Sequence, residues 1–562
     1  GLGARRPAAS ALVGGAAASA TGVLLLVLGP QLGRPLAPLR VDLSAGRLNT
    51  PAPATRAAFG SARGALSAEL VITPRARMPA SLKGLEERVR SLLQDLRVPQ
   101  RVQRPAHLSA AQVRALAGVG LRSFSAQTVA QDTLAAQPIW AGLRLRLGER
   151  EAVIGRLDAR RAEHLEFLLR AALRRLQEGR APRLAVVSDV PQLSPAEVLE
   201  DYQRRGLSAP SGTDAYGQAK EMLAGYGYDV AHVSARRPRL PDSADVFLWL
   251  QPRRDSRPVQ RLLAEHLHRG GRAILAVQHY AIQQRQYRGA GFATVYWPQP
   301  QFADVGPYLE ELGVAPVREV LMDRTRHPLS LETQVNRGPV REHDPQQVAL
   351  PFLIRAVAGH HAPDSPLTRR LGDLLFPWGN RFALDSGKLA HHGLQARVLV
   401  TTSDQAWAYP WQGGWLPPEV LRPSALLPGR QPLVLEVRGT FPPVVWPEGP
   451  ADAGLVVGAE PSPGQPEGAL VLVGCSEMFK DEHLYRAGFQ HDQLLLNAVA
   501  LLAWGEEMAQ VQARRPAPRG FALQPEGARL AWRAAVIGGG PLLFVLVGLA
   551  HQRWRIRRAG AP

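Results

Sequence analysis

The single thiol of the chain, Cys475, directly follows the apolar run Ala469-Leu-Val-Leu-Val-Gly474. That is the place at the end of a strand where an amidotransferase-type nucleophile would stand. A nucleophile on such a strained turn needs small residues on both sides. Gly474 supplies one, but Ser476-Glu477 follow, so a small buried core residue is the preferred reading of the thiol. Histidines gather as His360-His361, His391-His392 and His266-x-His268. Adjacent residues diverge on a helix or strand, and none of the three groups has the i, i+4 spacing that puts two ligands on one helical face. A metal site would therefore have to be assembled by the tertiary fold. Asp189, Asp245 and Asp404 lie near strand ends, where α/β proteins bind ligands, although caps and turns use aspartate just as well.

Phosphate chemistry finds no cradle. Gly-x-x-x-x-Gly-Lys-Ser/Thr does not occur and Ser386-Gly-Lys388 is no substitute, which excludes ATP hydrolysis by that route. Gly225-Tyr-Gly227 and Gly289-Ala-Gly291 lack the third glycine and the strand-to-helix setting of a dinucleotide fingerprint. They read as turns. The expectation is a chain with no catalytic residue, no cofactor and no metal. A tethered hydrolase or amidotransferase-like enzyme, using Cys475 or an aspartate such as Asp404, is the alternative. A glycan- or lipid-binding receptor is a third reading.

The elements that would position these residues are mixed. Leu82, Leu85, Val89, Leu92, Leu93 and Leu96 recur at helical spacing, and Leu143, Leu145 and Leu147 alternate with Arg144 and Arg146 as in a half-buried strand. Gly148-Glu-Arg150 turns the chain into a return strand at Ala152-Val-Ile154, and a helix carries Leu165, Leu168, Leu169, Leu173 and Leu176 before ending near Gly179. From Arg183 to about Gln278 strands and helices alternate. Strands are expected at 184–188, 228–233, 246–250 and 273–277, and helices at 215–223 and 259–267. Apolar runs of this kind are buried on both faces and imply a parallel sheet with helices above and below. The segment from about 280 to 470 is richer in Pro and Gly, with credible strands at 397–402, 432–437 and 469–474, and a helix follows from Asp492 to Ala503.

Both ends are apolar. No charge occurs from Ala8 to Pro30, and none from Ala534 to Ala550, where AAVIGGGPLLFVLVGLA is bounded by Arg533 and by His551, Arg553, Arg555, Arg557 and Arg558. About 20 apolar residues cross a bilayer, and Trp532 and Trp554 suit its two interfaces. Arginines flank the outer ends of both segments, so the positive-inside rule places both termini in the cytoplasm and everything between them outside. A cleaved signal peptide at the first segment exports the middle equally.

The chain has 562 residues, with 67 Lys+Arg against 48 Asp+Glu and a formal net charge of +19. Its length suggests roughly three or four domains. With 45% hydrophobic residues it can bury sizeable cores, and one cysteine excludes an intrachain disulfide framework. The arginines are spread along the chain and no nucleic-acid-binding module accompanies them, so nucleic acid is not an expected partner.

The order of the pieces resembles the GldG-like auxiliary proteins of ABC transporters, a family that includes a gliding-motility component. The segments that carry the resemblance are VDLSAGRLNTPAPATRAAF, LKGLEERVRSLLQDL, GLRLRLGEREAVIGRL with EHLEFLLRAALRRL, then LVTTSDQAW, LVLEVRGTF, LVLVGCSEMF with LLLNAVALLAWG, and finally PLLFVLVGLAHQRWRIRR. Cys475 stands where the family pattern more often carries an acidic or polar residue, and Gln127 to Pro138 is degenerate beside it. The resemblance implies a non-enzymatic accessory subunit of an ABC-2-type system, gliding-motility-associated in the named relative. It would be anchored in the inner (cytoplasmic) membrane beside a permease and a separate ATPase. The expected fold class is α/β: an extracytoplasmic flavodoxin-like parallel-sheet domain with additional α+β domains, flanked by one transmembrane helix at each end. The expected layout is a transmembrane helix at 8–30, an N-terminal α+β domain at 40–180 and a flavodoxin-like domain at 181–330. A C-terminal α/β portion at 331–528 completes the sheet, followed by a transmembrane helix at 532–551 and a basic cytoplasmic tail at 552–562.

Overall fold

A computed structural model describes residue 42 and residues 50–559, apart from 63–64, 106–107, 131–132, 189–198, 201–202, 204–213, 235–237, 254–255, 289–291, 338–339, 424, 447–455, 459–463 and 515–525. The expected first membrane segment, 8–30, lies outside the described residues, as does Asp189. The chain divides into two compact units, Ala45–Pro518 and Gly1–Ser44 with Arg519–Pro562.

In the first unit the chain opens with helix α1 (Pro53–Ser61), strand β1 (Leu66–Ile72), α2 (Leu85–Asp95), β2 (Gln100–Gln103) and α3 (Ala110–Gly118). The hairpin of β3 (Phe124–Ala130) and β4 (Thr133–Ile139) follows, then β5 (Ala141–Leu147), β6 (Arg150–Ile154), α4 (Ala159–Glu163) and α5 (Leu165–Glu178). Four strands form a sheet in the order β2-β1-β5-β6, parallel at β1–β2 and otherwise antiparallel. Leu143 and Leu145 turn inward to the core shared with Leu85, Val89 and Leu93 of α2 and Leu168, Leu169 and Leu173 of α5, while Arg144 and Arg146 occupy the opposite face, as the alternation requires. Gly179 ends α5 at φ 76°, its N–H closing on the Arg175 carbonyl, a left-handed cap that glycine adopts without penalty.

The second sheet is built from β7 (Arg183–Ser188), α6 (Gly217–Gly225), β8 (Asp229–Val233), β9 (Ala244–Leu250), α7 (Arg257–His268) and β10 (Arg272–Ala276). A long β-rich insertion then intervenes. It holds the hairpin β11 (Tyr280–Arg288) and β12 (Phe292–Pro300), α8 (Gly306–Glu311), β13 (Val314–Pro316), β14 (Val320–Asp323) and the hairpin β15 (Arg326–Arg337) and β16 (Val340–Ala356). It continues through β17 (Leu374–Pro377), β18 (Phe382–Leu384), α9 (Ser386–His391), β19 (Leu394–Thr401), β20 (Ala406–Tyr409), β21 (Pro432–Gly439), β22 (Val444–Val445) and β23 (Val456–Val457). Only afterwards come β24 (Gly468–Val473), α10 (His491–Trp504) and α11 (Glu506–Gln512).

The seven-stranded sheet runs β19-β21-β24-β10-β9-β7-β8. Its five parallel strands, numbered by their appearance in the chain, stand in the order 2-1-3-4-5, and β21 and β19 extend the far edge antiparallel. Period-two alternation divides the strand side chains between two cores. Leu184, Val186, Val246, Leu248, Val471 and Val473 pack with α5, α6 and α10. Ala185, Val187, Phe247, Trp249, Leu470 and Leu472 pack with α7, α8 and α9. The fold is mixed α/β. The helix expected at 215–223 lies at Gly217–Gly225, displaced by two residues.

In the second unit, α12 (Glu526–Ala559) is one helix of 34 residues with Pro541 inside it. Its stretch Arg529–Leu546, of mean hydropathy 1.3, is long and apolar enough to cross a membrane by length and composition. Leu530, Ile537 and Phe544 on it are exposed. The helix runs past the expected end at 551 and into the basic segment, because no Gly or Pro interrupts His551–Ala559 and its Arg and Gln are good helix formers.

Close packing where β24 leaves the sheet is tested at Gly474, where a Cβ would lie 2.1 Å from the Asn380 carbonyl oxygen and 3.1 Å from that of Leu433. Gly474→Ala is expected to destabilise the protein by about 1–3 kcal/mol. Gly306→Ala, with nothing within 4 Å, should stay within about 0.5 kcal/mol of the parent. Urea unfolding of both variants measures the difference.

Candidate functional site

Ligands of open α/β sheets bind beyond the carboxyl ends of the strands. β9 ends at Leu250 and the next residue, Gln251, takes φ 60°, a conformation that a non-glycine residue holds only when its surroundings impose it. Its amide Nε2 donates to the Gln278 carbonyl (3.1 Å) and its Oε1 accepts from the Ser476 hydroxyl. Gln278, two residues past β10, accepts through Oε1 from the backbone N–H of Ser476 (3.1 Å) and of Glu477 (3.0 Å). Its Nε2 donates to the Tyr280 carbonyl at 2.9 Å. All three side chains are buried. They bind the ends of β9, β10 and β24 to one another and occupy the space a ligand would need.

Cys475 lies inside this lock. It is wholly buried, and burial pushes its thiol far up from its ordinary range. The sulfur sits 3.4 Å from Gln278 Oε1 and 3.4 Å from the Pro377 carbonyl. The groups that accept from it are thus a neutral amide and a backbone carbonyl, neither of which can take its proton, and a buried un-ionised thiol is not a nucleophile.

A second cluster stands at the ends of β7 and β8. Lys220 of α6 donates to Ser188 Oγ (3.0 Å) and to Asp214 Oδ2 (2.6 Å), and its Nζ lies 3.2 Å from His232 Nδ1. Three partners use all three ammonium donors. Burial, and then the Lys220 charge, lower the His232 pKa, which suits a neutral ring accepting from the lysine. With Ser188, Asp214 and His232 all on one nitrogen, the cluster braces the corner of β7, β8 and α6. No motif spacing announces these four residues, and only a lysine among the apolar positions of a helix could have drawn notice.

The histidine groups predicted from sequence sit in separate places. His360-His361 follow β16, His391-His392 end α9, and His266 and His268 belong to α7. His266 Nε2 lies 3.1 Å from the Arg272 backbone N, His268 Nδ1 2.9 Å from the Phe441 carbonyl and His392 Nε2 3.1 Å from that of Glu311. Among the described residues, no three His, Cys, Asp or Glu side chains are grouped to hold a metal. Asp245 starts β9 and so sits at the amino end of that strand. Burial raises its pKa, but a bidentate Arg180 (2.6 and 2.8 Å) and the Arg183 N–H (2.8 Å) outweigh it and leave the carboxyl below its usual range. Asp404 is exposed in the turn between β19 and β20. Neither aspartate lines a shared site.

Two buried histidines make the fold acid-sensitive. Burial, chiefly, lowers both His361 and His491 to about 4, with His360 adding repulsion and Asp373 attraction at the first, and His483 and Arg486 adding repulsion at the second. The unfolded chain takes up these protons near pH 6.5 and the folded chain only near pH 4. Stability is therefore full above pH 6.5 and falls between those limits, by on the order of 3 kcal/mol for each histidine. Urea midpoints at pH 7.5 and pH 5.0 check this, with the lower value expected at pH 5.0. Ellman's reagent at pH 8 should leave Cys475 unmodified in the folded protein and titrate one thiol in guanidinium.

A family model described as "ABC-type uncharacterized transport system" matches residues 181–498, more than half of the chain. That stretch runs from β7 into α10 and so takes in the whole seven-stranded sheet. No curated protein matches by sequence. Among solved structures, a ThuA-like protein of Bacteroides uniformis ATCC 8492 aligns at 10% identity over 57% of this chain and 92% of its own, with a TM-score of 0.27. An exo-beta-1,4-mannosidase of Opitutaceae bacterium strain TAV5 aligns at 12% identity over 80% of this chain and 52% of its own, with a TM-score of 0.23. At those scores neither likeness bears on fold or activity. With its entire central sheet inside the family match, the chain belongs to the family of auxiliary components of ABC-type uncharacterized transport systems.

Proposed function

We propose that the chain is a non-enzymatic, membrane-anchored accessory subunit of an ABC-2-type transport system that presents its α/β unit on the extracytoplasmic side. Family membership supports the association with a transport system. The 2-1-3-4-5 order of the parallel strands supports a flavodoxin-like reading of the sheet, with 40–180 as a domain before it and 331–528 supplying its remaining strands. The α12 helix supports anchoring, and Arg553, Arg555, Arg557 and Arg558 at its end support a cytoplasmic C-terminus in the inner membrane. The segment 8–30 would be the second anchor. A permease and a separate ATPase are the partners, and the bilayer is the third contact.

One observation carries the non-enzymatic half of this reading. Among the described residues, the carboxyl ends of β9, β10 and β24 are filled by Gln251, Gln278 and Ser476 hydrogen-bonded to one another, on the edge where such folds place their chemistry. A sheet closed in this way serves as a rigid platform, and movement driven by ATP would come from the partner chains.

The test is purification of the tagged full chain from membranes in mild detergent. A multi-span permease and an ATPase with a phosphate-binding loop are expected to co-purify, and their consistent absence refutes the proposal. Orientation is read independently with Gln412→Cys, an exposed position. A membrane-impermeant maleimide is expected to label it in spheroplasts without lysis, whereas labelling only after lysis puts the α/β unit in the cytoplasm.

A further inference from the structure

The outer face of the four-stranded N-terminal sheet carries charge in rows fixed by strand register. Arg101 of β2 pairs with Glu69 of β1, which pairs with Arg144 of β5. In the adjoining row Arg146 of β5 pairs with Ser67 of β1. Gln100 begins β2 and pairs with Ala68, so on that side of Ser67 the chain has already reached Pro99 and left the strand. A small serine between a long arginine and a receding turn makes a notch. It measures about 320 Å³ and is lined by Ser67, Glu69, Gln100, Arg101, Arg144 and Arg146, with Ala68 and Pro99, at the lower end of the range for small-molecule sites.

The acids beside the notch are already engaged. Glu69 accepts from Gln103 and from Arg144 Nη1 at 3.0 Å, and Glu151 takes the Arg144 fork at 2.8 and 2.9 Å. Arg146 gives Glu151 only its Nε, at 3.2 Å, which leaves both its terminal nitrogens. The Arg101 side chain makes no hydrogen bond or ion pair among the described residues. Three guanidinium groups thus face two neutralised carboxylates, and the donors left over border the notch from two sides.

We propose that this notch binds a single anionic group, a carboxylate or a phosphate, between the guanidinium groups of Arg101 and Arg146. Arg144, its charge spent on Glu69 and Glu151, forms a fixed floor, and the Ser67 hydroxyl supplies a neutral contact. Planar forks of this kind match both anions in a bidentate manner. Since the notch belongs to the N-terminal sheet and not to the family-matched segment, the inference stands whether or not the transport partners prove correct.

The experiment is isothermal titration of the detergent-solubilised full chain with glucuronate in one arm and glycerol 3-phosphate in the other, glucose and glycerol serving as uncharged controls. At least one anion is expected to saturate, with an affinity that declines as salt is raised, and the arm that saturates identifies the source of the charge. Arg101→Gln disturbs no contact of the fold and is expected to weaken binding by about tenfold or more, as does the loss of one charge-assisted hydrogen bond. Arg422→Gln, which removes an equal charge at another exposed position, should bind within about twofold of the parent. Failure of both anions to saturate by about 10 mM, or unaltered binding by Arg101→Gln, overturns the proposal.

Discussion

The constraint on which the first unit depends is that four of its parallel strands, β7, β9, β10 and β24, are apolar on both sides and must be covered on both. Leu184 and Val186 need one layer, and Ala185 and Val187 need another. The crossover helices α6 and α7 begin the two layers but do not complete them. α5, from before the sheet, and α10, from after it, finish one face. α8 and α9, from within the insertion, finish the other. The sheet therefore recruits helices from along the whole chain, and the N-terminal strands share a core with it through α5.

That recruitment explains the polar contacts that span long separations. Arg174 donates to the Trp504 carbonyl at 2.9 Å and its guanidinium lies 4.9 Å from the Trp504 ring. Arg514 meets Glu166 at 2.6 Å, and the other oxygen of Glu166 accepts from the Ala52 N–H. Burial brings these partners together, and the hydrogen bonds then select one arrangement among those of similar apolar content. The lock at the carboxyl edge has the same origin. The insertion leaves after β10 and returns before β24; the backbone ladder of those adjacent strands ends at the Val277 N–H to Val473 carbonyl bond (2.9 Å), and Gln278 extends the join by accepting from the Ser476 and Glu477 N–H groups.

Much of the sheet was legible because its strands are short apolar runs bounded by Gly and by polar residues. Strands near 184–188, 246–250, 273–277, 432–437 and 469–474, and helices near 259–267 and 492–503, all lie where hydrophobic pattern puts them. The hairpins β11–β12 and β15–β16 were not legible. Tyr280–Arg288 and Arg326–Arg337 are rich in Gln, Arg and other polar residues, and their apolar alternation is confined to Tyr280 with Ile282 and Leu329 with Leu331, too short a run to mark strands of nine and twelve residues. Of the site candidates, the reading of Cys475 as a buried core residue agrees with its position. Asp245 shows the limit: proximity to a strand end was visible, but the functional edge is one particular end, and Asp245 is at the other.

The amino-acid sequence by itself determined the helices and the apolar strands of the central sheet, since propensity and hydrophobic period act over a few residues and need no distant partner, but not the polar hairpins of the insertion. It also determined an apolar helix near 532–551 followed by a basic segment, and the structure carries that helix on to Ala559. Only the tertiary structure decided strand order, the sealing of the carboxyl edge and the notch over Ser67. Each of these depends on register and crossover between segments far apart in the chain, and those are set by which apolar faces can be covered together.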